Sequence, residues 1–145
     1  MNKPEITAEC FKNGFNCSQA VFSTYAEEFE LDKEQALKIA CAFGGGMARM
    51  GDTCGAVTGA MLAIGLKYGK SKAEDDAARD KTYSTVKDFV NEFKLRNSSI
   101  VCRELLGFDL NNPEEMAAFK EKNPGVNPCP KFVKDAAEIL DRIFM

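Results

Sequence analysis

The segment from Thr53 to about Tyr68 constrains the fold more than any other. After Cys54 it reads GAVTGAMLAIGLKY, with apolar or small side chains on nearly every side. A helix with no polar stripe has to be surrounded by other helices. Glycine inside a helix costs about 1 kcal/mol relative to alanine, so Gly55, Gly59 and Gly65 need a reason, and close approach of neighbouring helices is the simplest. The spacing therefore predicts a buried central helix over about 53–68, stopped by Gly69. Upstream, Gly44-Gly45-Gly46 reads as a helix stop and tight turn. It lacks the G-x-x-x-x-G-K-[ST] spacing of a phosphate loop.

The rest of the chain supplies the surrounding helices. Pro4 to Lys12 reads as a short helix ended by Asn13-Gly14. Asn16 caps a second helix carrying Val21, Phe22, Tyr25, Ala26 and Phe29 at helical spacing. Asp32 caps a third, through about Phe43, with Leu37, Ala40 and Cys41 on its apolar side. Ser71 opens a long helix over about 72–94, acidic at its start, with Tyr83, Val86, Phe89, Val90 and Phe93 facing in. Ser98 or Ser99 caps a helix over 100–106. Asn112-Pro113 starts another, through about Glu121. Asn127-Pro128 opens the last, with Phe132, Val133, Ala136, Ile139, Leu140 and Ile143 inward. No strand is convincing; Ser99-Ile100-Val101 is the best candidate. The expectation is an all-α fold: a single-domain bundle over 1–145, of about seven helices around the buried central one.

Composition excludes several functions. A net charge of −3, with no basic stripe interleaved with aromatics, argues against nucleic acid as a partner. The run Ala56–Leu66 is too short to span a membrane. The N-terminus MNKPEITAEC has no apolar signal-peptide core. These features point to a cytoplasmic protein. Six cysteines stand beside no histidine at all, which removes Cys/His zinc sites and Ser-His hydrolase triads. There is no Cys-x-x-Cys pair. Cysteine excess in a reducing compartment points to metal ligation or redox chemistry rather than structural disulfides.

Four of the six cysteines share a position: Cys17, Cys54, Cys102 and Cys129 each fall at the start of a predicted helix. A helix N-terminus offers unpaired N–H groups and partial positive charge, both of which favour a thiolate. Arg103 beside Cys102, and Arg49 near Cys54, would add to this. Cys10 and Cys41 lie late in their helices and read as small hydrophobes. Inert packing is the alternative for all six.

Several stretches together resemble a known family. They are Asn16-Cys17, the FGGG run at 43–46, Cys54-Gly55-Ala56-x-x-Gly59-Ala60, Cys102-Arg103-Glu104-Leu105-Leu106-Gly107, and Cys129 before the final helix. The chain resembles the small redox-active proteins labelled by their cysteine pattern, C_GCAxxG_C_C. The label reads Gly-Cys-Ala where this chain has Cys54-Gly55-Ala56. By order and local motif, the resemblance maps the family cysteines onto Cys17, Cys54, Cys102 and Cys129. It implies redox or metal chemistry and names no substrate.

Three functions follow as expectations. The first is thiol–disulfide or electron-transfer chemistry, with Cys54 as the nucleophilic thiolate and another of the four resolving it. The second is an all-cysteine zinc or iron–sulfur site on Cys17, Cys54, Cys102 and Cys129. The third is a non-catalytic helical interaction module. The redox partner, the cofactor and any homo-oligomer stay open at this level.

Overall fold

A computed structural model describes residues 1–145. The chain is all-α, with eight helices: α1 (Lys3–Lys12), α2 (Cys17–Ala26), α3 (Lys33–Ala40), α4 (Gly55–Tyr68), α5 (Asp76–Asn97), α6 (Cys102–Leu106), α7 (Pro113–Lys122) and α8 (Cys129–Phe144). Short 3₁₀ turns follow α2 and α3, at Glu27–Phe29 and Cys41–Phe43. No helix is long and apolar enough to cross a membrane.

Helix starts follow local chemistry. Asn2 and Asn16 each form a capping box, with Glu5 and Gln19 reaching back to the cap. Asp32, Asp75 and Asn112 accept first-turn N–H bonds. Helix α4 is the axis, with Val57, Ala60, Ala63 and Ile64 fully buried. Around it, α2 contributes Val21, Phe22 and Tyr25, α5 contributes Phe89 and Phe93, and α8 contributes Val133, Ile139 and Leu140. The Tyr25 hydroxyl donates to Ala137 O at 2.7 Å and to Asp141 Oδ1 at 2.8 Å, tying α2 to α8.

The glycines of α4 divide. A Cβ on Gly59 would lie 2.7 Å from Ser18 O, and one on Gly55 would lie 3.0 Å from Cys17 Cβ. These two let α2 pack directly on the α4 backbone. Gly65 has open space instead, so close packing does not explain it.

Other expectations need correction. Helix α5 begins at Asp76, because Asp75 turns its side chain onto Ala78 N–H. Tyr83 is 61% exposed. The buried face of α5 runs Thr85, Phe89, Phe93, and Tyr83 lies about 200° around the helix from Thr85. Cys41 is exposed, since α3 ends at Ala40 and tightens into the 3₁₀ turn. Helix α6 starts only at Cys102, because Val101 is engaged in an antiparallel bridge with Thr53. Ser98 ends α5 in a left-handed conformation.

Between α3 and α4 the chain makes an uncommon excursion. Gly45, Gly46, Met47, Ala48 and Arg49 have φ between +52° and +70°, a left-handed turn. It is closed by bonds such as Ala48 N to Ala42 O at 2.9 Å and Asp52 N to Gly46 O at 2.9 Å. Each non-glycine residue there costs about 1–2 kcal/mol, so the tight-turn expectation understates this segment.

Candidate functional site: a four-cysteine cavity

Each family cysteine reaches the site by its own local device. Cys17 opens α2 directly after the Asn16 cap. The Asn16 amide donates to Cys41 O at 3.0 Å, and Gln19 donates to Leu37 O at 3.0 Å. Together they tie the start of α2 to the end of α3. Cys54 is the cap of α4 rather than a first-turn residue, and Cys102 opens α6. The two are placed side by side by a short antiparallel pairing: Cys54 N donates to Ile100 O at 2.7 Å, Cys102 N to Asp52 O at 2.6 Å, and Arg103 N to Gly51 O at 3.1 Å. Cys129 opens α8, its N–H bonded to Asn127 Oδ1 at 3.1 Å.

Cys17, Cys54, Cys102 and Cys129 line one cavity of about 30 Å³, room for about one water molecule. Gly45, Gly46 and Gly55 form part of its wall, and Leu106, Leu110 and Phe132 another. Glycine is required at 46: a Cβ there would lie 2.6 Å from Cys102 Cβ and 2.7 Å from Asp52 N, at a φ of +70°. The left-handed turn thus presses against the site. Sequence reasoning missed this role of Gly45 and Gly46; the FGGG run was the available signal.

All six cysteines are free thiols. Cys10 sits beside Ser23, 3.8 Å from its hydroxyl, and Cys41 is on the surface; neither lines the cavity. No three of the potential ligand side chains are placed to share a metal ion.

The electrostatics correct the expectation of four helix-start thiolates. Burial pushes Cys54 up to about 12, although the N–H groups of Ala56 and Val57 pull the other way. Burial, then the charges of Cys129 and Asp109, push Cys102 up to about 11, with Arg103 opposing. Arg49 is not among the groups acting on Cys54. Cys17 is raised well above the ordinary thiol value, first by its pairing with the Cys129 thiol and then by burial. Cys129 alone is lowered, because that same pairing outweighs its partial burial. The favoured thiolate is Cys129 and not Cys54: the neighbouring Cys17 thiol favours it, and its residue is the most exposed of the four.

The family model described as "Putative redox-active protein (C_GCAxxG_C_C)" matches residues 15–143. The chain belongs to the C_GCAxxG_C_C family. The match spans all four cavity cysteines, and membership carries a redox role in general terms. No curated protein and no solved structure matches the chain. What this C_GCAxxG_C_C protein adds is geometry: the pattern's widely separated cysteines converge on one small cavity, and the glycines beside Cys54 and Cys102 make room for them.

Proposed function

We propose that this is a cytoplasmic thiol–disulfide redox protein in which Cys129 attacks and Cys17 resolves. The supporting observation is that the two residues line one cavity: a half-buried Cys129 favoured as thiolate, beside a buried Cys17 that keeps its proton. The Cys129 thiolate attacks a sulfur of an oxidised partner and displaces one sulfur as thiolate. Cys17 then loses its proton and attacks Cys129 in the mixed disulfide, releasing the second partner sulfur and leaving a Cys17–Cys129 disulfide. Two electrons pass to the partner. Cys54 and Cys102, protonated in the same cavity wall, exclude water and shape the pocket. Six unpaired thiols suit a reducing compartment.

Substitution separates the two roles. With Cys17→Ser, the reduced protein should accumulate a mixed disulfide at Cys129, visible as an added mass. With Cys129→Ser, neither the mixed disulfide nor the internal one should form at the site. Equal reactivity of the two variants would contradict the assignment.

The convergence of four sulfurs on a cavity the size of one small species favours a second reading, an all-cysteine zinc or iron–sulfur site. It requires the sulfurs to draw together beyond the observed geometry. Metal analysis and a visible spectrum of anaerobically purified protein decide between the two. Stoichiometric metal held by all four cysteines would replace the thiol-exchange reading.

A further inference from the structure

A groove of about 330 Å³ runs between α6, α7 and the start of α8. Its apolar wall comes from Leu106, Phe108, Leu110, Met116, Phe119 and Val126. Leu106, Leu110 and Cys129 belong both to this groove and to the four-cysteine cavity. Of the four cavity cysteines, Cys129 alone lines the groove. Its outer side is α7, no residue of which is fully buried, held by the Phe108–Phe119 ring pair at 4.5 Å. Lys120 is the one charged residue of the lining.

We propose that this groove is the substrate site, and that it delivers small organic disulfides with an apolar body to Cys129. The inference rests on the thiol-exchange reading and adds the substrate class. A groove with a cysteine in its lining calls for an occupant with an atom that thiolate attacks, and a disulfide sulfur is one. The volume suits a small molecule. The walls offer little to the amides and several charges of a peptide disulfide such as oxidised glutathione, whose desolvation would go uncompensated. The chemistry balances without a further reagent. Cys129 forms a bond to one substrate sulfur as the S–S bond breaks. Cys17 forms a bond to Cys129 as the second substrate sulfur leaves. The two protein thiols are oxidised, the substrate is reduced to two thiols, and their two protons end on the products.

The test is single-turnover stopped flow on the fully reduced chain, with Cys10→Ser and Cys41→Ser removing the thiols outside the cavity. Neutral, aromatic dithiodipyridine is compared with oxidised glutathione and with hydroxyethyl disulfide. Each rate is divided by that of the same reagent with the urea-unfolded chain. The expected result is a normalised preference of at least about tenfold for dithiodipyridine over glutathione disulfide. Met116→Glu, which puts a charge in the groove wall, should erase most of that preference. It should leave the circular dichroism spectrum unchanged. No preference in the parent chain, or a preference that Met116→Glu leaves intact, would overturn the proposal. Oxidation with diamide keeps the two levels apart. A Cys17–Cys129 disulfide formed without any apolar preference defeats the groove assignment alone. Failure of diamide to link Cys17 and Cys129 defeats the underlying reading and the groove assignment with it.

Discussion

At the scale of single residues, the four cavity cysteines set two opposed effects against each other. A helix start favours an anion by about 0.3–1 kcal/mol at exposed sites. Removing an ion from water costs several kcal/mol. Cys54 carries both in full: Ala56 and Val57 direct N–H groups at it, and burial still wins. Cys129 escapes because the Cys17 thiol beside it favours its thiolate by more than burial opposes it. Alkylation with iodoacetamide, read by peptide mass mapping against pH, should therefore modify Cys129 first among the four, with a midpoint below the ordinary thiol range. Cys54 should resist until the pH approaches about 12 or the chain unfolds. Cys17→Ala, which removes the thiol that favours the Cys129 thiolate, should move the Cys129 midpoint upward. Preferential modification of Cys54 in the folded chain would contradict this. The helix-start positions could be read from Asn16, Asp52-Thr53 and Asn127. The order of the thiol acidities could not, because burial is a property of the assembled fold.

Among the elements, α4 carries the clearest contrast. Gly59 and Gly65 look alike in sequence, both inside one apolar helix. Gly59 faces the backbone of Ser18, while Gly65 faces open space. Gly59→Ala should destabilise by about 1–3 kcal/mol through overpacking. Gly65→Ala should stabilise by up to about 1 kcal/mol through helix propensity. Urea midpoints of the two variants should thus move in opposite directions; a higher midpoint for Gly59→Ala would show that α2 and α4 do not cross at Gly59. The buried central helix was legible from its unbroken apolar pattern, and the caps Asn16, Asp32 and Asn112 from local chemistry. The left-handed turn was not. Met47, Ala48 and Arg49 have no preference for positive φ, and only the bonds across the turn and the packing of Gly46 on Cys102 hold them there.

Across the whole molecule, the cavity makes stability depend on alkaline pH. Cys54 and Cys102 are raised from the ordinary value of 9.0 to about 12 and about 11 in the folded chain. Above about pH 9 the unfolded chain releases these protons while the folded chain retains them, so stability falls as pH rises. The contribution is complete below about 9 and is lost through about 11 for Cys102 and about 12 for Cys54. Urea denaturation between about pH 8 and 10.5 should show a declining midpoint, and Cys54→Ala should flatten the decline. An unchanged slope in that variant would mean that Cys54 is not buried as described. The meeting of four cysteines so widely spaced in sequence is also a property of this scale. The family pattern marked which residues matter. Their convergence depends on the Thr53–Val101 bridge and on Gly46 and Gly55, whose partners lie far along the chain.

Cys129 and Cys17 are proposed as the working dithiol. The direct measurement is peptide mapping of the reduced chain after brief oxidation with diamide, before and after treatment with dithiothreitol. One dominant disulfide, Cys17–Cys129, should form without loss of helix and be fully reversed by the reductant. A dominant disulfide between Cys54 and Cys102, or four thiols that stay unoxidised around a retained metal ion, would contradict it.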